Sequence, residues 1–328
     1  MKRRTLLSFL ATLSLSSSYL AHAQSPAKIP RIGFLTAGDA DATRIQLDRL
    51  HQALRELGYI EGKNVLIENK KADWHHERLD DLAKELVGLK VDVIVTANTS
   101  PALSAQRATK TIPIVVWSGD PVRAGLVDSL ARPGGNITGI TSSSGDLSRK
   151  RLELLKEISP NTSVVGIVAD VLLADPGIAA QMKNAEAAAQ ALGLRLIVQQ
   201  VQGDDYESAF AEIKRRADSL FMILSTKMLP IPSLIADLAA KSGLPAVYPN
   251  SDQVDAGGLI SYGTNRADLY RRLAYQIDRI LKGAKPADLP VEAPTKFELV
   301  VNLKAAKQIG LTIPESVLQR ADRIIPDK

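Results

Sequence analysis

Residues 112–141 read IPIVVWSGDPVRAGLVDSLARPGGNITGIT, and the fold of the chain follows from this stretch. The apolar run at 114–117 predicts a buried strand, and Ser118, Gly119 and Asp120 predict a polar turn. Asp120 followed by Pro121 has the chemistry of an N-cap and a first helical residue. Gly134-Gly135 predicts a second turn before a strand over 137–141. A buried strand that runs into a polar turn and a helix is where open α/β sheets bind ligands. The pattern returns in residues 244–264, LPAVYPNSDQVDAGGLISYGT.

Outward from this stretch, strands and helices alternate, as parallel βαβ units require. Strands are predicted at 31–35, 65–68, 92–96 and 112–117, and helices at 43–57, at 79–87 and from a Ser100 cap. After Thr141 the alternation restarts. Strands are predicted at 164–169, 195–201, 220–224 and 245–248, with helices at 178–192, 206–217 and 233–241. The halves superimpose in order. Gly33 matches Gly166, Gly58 matches Gly193, Thr96 matches Ser225, Pro113 matches Pro245 and Gly135 matches Gly258, at offsets between 123 and 135. Nearly constant offsets point to two similar α/β lobes; the alternative is one large doubly wound sheet. A helix carrying Leu269, Leu273, Ile277 and Ile280 follows, then a Pro-rich connector at 286–294. A strand at 297–302, a short helix at 304–309 and a helical piece at 314–326 end the chain.

The chain has 328 residues, 45% of them apolar and 23% charged, as in soluble globular proteins. The net charge of +5 owes three units to Lys2, Arg3 and Arg4. Without the first 23 residues, 38 basic residues face 36 acidic ones, which gives no electrostatic case for nucleic acid. Cysteine is absent, which excludes disulfides, thiolate metal sites and a lipid-modified N-terminal cysteine. The N-terminus reads as an export signal: the basic start, an apolar Ser-rich run over 6–20, and Ala21-His22-Ala23 before Gln24. That run is short and polar for a membrane anchor. Arg3-Arg4 leaves the export route open between the general and the twin-arginine pathways. The expected location is the periplasm, after cleavage near Ala23.

No catalytic motif is found. GxxxxGK[ST], GxGxxG after the first strand, HExxH and GxSxG are all absent. His75 and His76 are adjacent and so point different ways, as on a solvated helix start. No cofactor or metal is expected. Polar residues cluster instead after the strands. In the first half these are Thr36, then Asn98, Thr99 and Ser100, then Trp117, Ser118 and Asp120. In the second half they are Asp170, Ser225, Thr226, Lys227, Asn250 and Asp252, and the segments joining the halves add Thr141, Ser142 and Tyr262. Facing each other across a cleft, such groups suit a small polar ligand. Ser100, Asp120 and Asp252 also read as caps, Trp117 as core, Lys227 as a solvated loop residue and Trp74 as surface.

Five segments carry a resemblance: ELGYIEGKNV (56–65), residues 111–140, KRLELLKEISP (150–160), GGLISYG (257–263) and RILKGAKPADLPVEAPTKFELVVNLKAAKQIGLTIP (279–314). Together they resemble the ABC-transporter substrate-binding proteins of the tryptophan/tyrosine type, over nearly the whole chain after residue 31. The resemblance implies a type I periplasmic-binding-protein fold, with two Rossmann-like lobes and a three-segment hinge near 139–143, 261–264 and 286–294. It places the first lobe in 29–140 and 264–288 and the second in 141–263 and 289–328. It further implies a monomeric receptor that closes on an amino acid or related carboxylate and docks on an inner-membrane permease. A receptor of the same fold that feeds a signalling partner stays open, as does, more remotely, a two-domain enzyme.

Overall fold

A computed structural model describes residues 28–141, 144–169, 176–223 and 225–327. The expected export signal at 1–23, Ser142 and Asp170 lie outside the described residues. The first half builds β1 (Arg31–Thr36), α1 (Ala40–Glu56), β2 (Leu66–Lys71), α2 (Leu79–Gly88), β3 (Val93–Ala97), α3 (Thr99–Ala108), β4 (Ile114–Ser118) and β5 (Ile137–Thr141). Its five strands form one parallel sheet in the order β2-β1-β3-β4-β5.

The second half repeats that plan. After α4 (Ser144–Ile158) come β6 (Val164–Ala169), α5 (Pro176–Ala191), β7 (Arg195–Gln200), α6 (Tyr206–Lys214) and β8 (Ser219–Phe221). Then follow α7 (Pro232–Ser242), β9 (Ala246–Tyr248), α8 (Ser251–Asp255) and β10 (Ile260–Thr264). These strands pair in parallel as β7-β6-β8-β9-β10, the order of the first sheet. The halves are therefore two lobes, and the single-sheet alternative is excluded.

Matching residues do matching jobs. Gly33 and Gly166 sit on the equivalent strands β1 and β6, where a helix comes close. A Cβ would meet Leu86 of α2 at 3.0 Å in one lobe and Ile213 of α6 at 2.4 Å in the other. Asp92 precedes β3 and accepts from the Arg31 amide at 2.8 Å, which ties down the start of β1. Asp218 precedes β8 and accepts from the Ser163 and Val164 amides at 2.9 and 2.8 Å, at the start of β6. Those amide bonds hold the Asp218 carboxyl below the usual range.

After β10, α9 (Arg266–Leu281) returns to the first lobe. Its stripe of Leu269, Leu273 and Ile277 packs on Ile32, Phe34 and Val95. β11 (Phe297–Asn302) then joins the second sheet antiparallel to β10, followed by α10 (Leu303–Gln308), α11 (Glu315–Leu318) and β12 (Arg323–Ile325).

Three local expectations are corrected. The segment after Pro121 makes a single turn: Ala124 bonds to the Asp120 carbonyl at 3.0 Å, and Gly125 at φ +69° stops further winding. The expected helical piece at 314–326 ends as β12, because Asp322 repeats the aspartate device and accepts from the Leu299 amide at 2.8 Å. The lobe boundary expected between 288 and 289 falls later. Leu289 and Val291 are buried in first-lobe clusters, and the Glu292 amide bonds to the Gly139 carbonyl at 2.9 Å. The chain crosses between Glu292 and Phe297.

Candidate functional site

The C-terminal strand ends of the two sheets meet across a cleft. Asn98 ends β3 at φ +101°, a region that glycine ordinarily occupies. Its amide bonds to the Trp117 carbonyl at 2.8 Å, which ties the β3 loop to the β4 loop. Its side-chain Nδ2 donates to Thr226 Oγ1 of the second lobe at 2.6 Å. Asn98 is the N-cap residue of α3, so Ser100 lies inside that helix and is not its cap. Thr99 Oγ1 and Ser118 Oγ are 3.0 Å apart, both buried. Asp120 keeps its capping role, accepting from the Arg123 amide at 3.0 Å. Thr99, Asp120, Arg123 and Ala124 form one wall of a cavity of about 320 Å³, and Ala179, Ala180 and Lys183 of α5 form the other.

On the α1 side the lobes meet through charge. Asp252, in α8, accepts from Arg49 Nη2 of α1 at 2.9 Å, and Arg266 Nε stands 3.6 Å from the same oxygen. Asn250 caps α8 by accepting from the Asp252 amide at 3.1 Å, while its Nδ2 is buried without a hydrogen-bond partner among the described residues. Trp117 packs edge-on to Tyr270 with ring centres 5.8 Å apart, and the Arg266 guanidinium lies 5.2 Å from the Trp117 ring centre. Burial pushes the Arg266 guanidinium down, and Asp252 opposes that shift.

The other expected residues divide. Ser225 is buried and accepts from the Lys227 amide at 3.2 Å, which shapes the loop that presents Thr226. Thr141 Oγ1 donates to the Gly119 carbonyl at 2.7 Å and holds the first crossing against the β4 turn. Thr36 is turned inward, donating to Gln46 Oε1 at 3.0 Å, and Tyr262 packs beside Phe297 with ring centres 6.2 Å apart. Neither lines that cavity. Lys227 is taken up by Asp204 at 2.7 Å within its own lobe.

Arg49, Arg266, Tyr270, Arg123 and Lys183 are absent from the sequence-based set. Arg49, Tyr270 and Lys183 lie within helices, and Arg266 and Arg123 read as ordinary residues of a helix start and a turn. Trp74 is nearer the cleft than expected. Its indole donates to Asp39 Oδ2 at 3.2 Å beside the β1 loop, and Asp73 and Trp74 both have positive φ. Consecutive left-handed residues leave no sequence signature when neither is glycine. Arg151 of α4 is only 1% exposed, lies 5.4 Å from the Phe221 ring centre and has no ion pair among the described residues. Among the described residues no group of three or more His, Cys, Asp or Glu could hold a metal ion.

The family model described as ABC transporter substrate binding protein matches residues 32–325. A tyrosine-binding protein of Clostridioides difficile (strain R20291) is 26% identical over 266 residues, covering 79% of this chain and 75% of that protein. The crystal structure of a conserved domain protein from Vibrio cholerae superposes with a TM-score of 0.80 at 29% identity, covering 90% of this chain and all of the other. An ABC domain from Streptococcus pneumonia in complex with L-Trp superposes with a TM-score of 0.78 at 26% identity, covering 90% of this chain and 99% of the other. With them the chain shares the two-lobe fold of type I periplasmic binding proteins.

Proposed function

The chain belongs to the ABC transporter substrate-binding protein family, and on that premise we propose that it is the exported, monomeric receptor of an ABC importer. Its ligand is a small polar molecule, an amino acid or related carboxylate, held between the lobes and delivered unchanged to an inner-membrane permease. The observation that carries this reading is the Asn98–Thr226 bond of 2.6 Å. It joins the loop after β3 to the loop after β8, equivalent strands of the two lobes. A receptor that closes by hinge motion needs contacts between such loops that exist only when the lobes meet.

An aromatic amino acid is the favoured ligand. One relative is a tyrosine-binding protein, and a solved structure of similar fold holds L-Trp. Trp74, beside the loop after β1, and Trp117, at the end of β4, are aromatic groups near the cleft loops, and the buried Tyr270 packs behind Trp117. The remaining expected contacts, Asn98, Thr99, Ser118, Asp120, Thr226, Asn250 and Asp252, are polar groups that suit a zwitterion's ends.

Calorimetry on the protein from Gln24 onward, against the twenty amino acids, tests the proposal. Binding of L-tyrosine or L-tryptophan with one site per chain is expected, with the ligand recovered chemically intact. Binding of none of them, or recovery of a converted product, would defeat it.

A further inference from the structure

Between α1, α8 and the start of α9 lies a cavity of about 240 Å³. Two guanidinium groups, Arg49 and Arg266, share one carboxylate there, that of Asp252. The other acids of the wall bond to neighbours in the same wall. Glu298 accepts from Ser251 Oγ at 2.7 Å and from Asn265 Nδ2 at 3.1 Å, and Glu56 pairs with Arg271 at 3.5 Å. Among the described residues Arg49 Nη1 and Arg266 Nε and Nη1 are buried without a close hydrogen bond, and Tyr270 Oη faces the Arg266 guanidinium. The Arg266 side chain is 7% exposed. Buried donors are almost always paired, and a buried guanidinium with open N–H groups calls for an acceptor.

We propose that this cavity takes a carboxylate, held by Arg266 with Arg49 and Tyr270 beside it, and that this is the carboxylate of the interlobe ligand. A guanidinium fork matches the two oxygens of a carboxylate. Arg49 and Arg266 face Asp252 and Glu298, and Arg271 faces Glu56, so the wall is neutral overall; the open guanidinium N–H groups, not a net charge, favour a single carboxylate, and the three acids oppose a dianion. The walls come from both lobes: α1 and α9 from the first, α8 and β11 from the second. Arg266 also touches the Trp117 ring, which stands at the end of β4 among the cleft loops. Arg266 thus joins this cavity to the buried Trp117 at the edge of the cleft loops. The link to the transported ligand rests on the receptor reading above; the carboxylate site itself does not.

The test has two arms, run on wild type, Arg266→Gln and Tyr270→Phe. Thermal unfolding in sodium acetate, against sodium chloride at equal ionic strength, reads the site alone. Acetate should raise the wild-type midpoint, less so for Tyr270→Phe and not at all for Arg266→Gln. Equal midpoints in the two salts for wild type and Tyr270→Phe would overturn the site. Calorimetry with L-tryptophan and tryptamine, which lacks the carboxylate, reads the link. Wild type should bind the amine at least about tenfold more weakly, and Arg266→Gln should bind the two alike. If Arg266→Gln weakens both by the same factor, the link is overturned. An acetate effect in a protein that binds neither aromatic compound would support the site and sink the aromatic-ligand reading.

Discussion

Asn98 and Thr226 are separated by 128 residues and joined by one hydrogen bond of 2.6 Å that spans the two lobes. The donor sits on a backbone at φ +101°, which costs roughly 1–3 kcal/mol for a residue other than glycine. Asn98→Gly removes the bond and relieves the backbone. We expect unchanged or slightly higher thermal stability, with ligand affinity lowered about tenfold. Thr226→Ala should lower affinity similarly, and the double variant should be no worse than either single one. Additive losses in calorimetry would show that the bond is not the shared element.

A second prediction concerns Arg151. Its guanidinium has no acid beside it among the described residues, and burial pushes its pKa down to about 10. Below that pH the folded state carries an uncompensated buried charge. The unfolded state holds the same proton more tightly, so stability should rise as pH climbs from about 10 toward the ordinary arginine value. Arg151→Met keeps the packing on Phe221 and removes the charge. Chemical denaturation at neutral pH should find it more stable by about 1–4 kcal/mol, as for other buried charges replaced by apolar groups. A less stable variant would mean that the charge is answered by a group outside the described residues.

The repeated glycines give a third prediction. A Cβ at Gly166 would stand 2.4 Å from Ile213 Cγ1, deep in its side chain, and Ala217 lies on the same side at 3.1 Å. A Cβ at Gly33 would meet the methyl ends of Leu86 at 3.0 Å and 3.2 Å, which can turn aside. Gly166→Ala should cost about 1–3 kcal/mol by overpacking, and Gly33→Ala less than about 1 kcal/mol. Equal costs measured by urea denaturation would contradict the tighter packing of α6 on the second sheet.

The same residues separate what the sequence carried from what it hid. The alternation of apolar strands with amphipathic helices, and the matched Gly33 and Gly166, make two α/β lobes legible in the amino-acid order alone. So do the strand-end clusters that bring Asn98 to Thr226. The three aspartates before β3, β8 and β12 are equally visible in residues 91–92, 217–218 and 321–322, yet a single Asp before a strand has no meaning until its amide partners are known. Asp322 is the reason that the chain end forms a strand. Arg49 and Arg266 escape for a different reason. Each is an ordinary polar residue of its own helix, and only the approach of α8 buries them against one carboxylate. The lobe boundary is expected too early, at 288–289, because Leu289 and Val291 carry no periodicity to say which core they enter.

The central claim is that the lobes close on a ligand, and small-angle X-ray scattering in solution tests it most directly. The protein from Gln24 onward would be measured alone and with saturating L-tryptophan or L-tyrosine, whichever calorimetry finds to bind. The account predicts a smaller radius of gyration with ligand, and a weaker compaction in Thr226→Ala at the same ligand concentration. An identical scattering profile with and without a ligand known to be bound would contradict the two-lobe clamp.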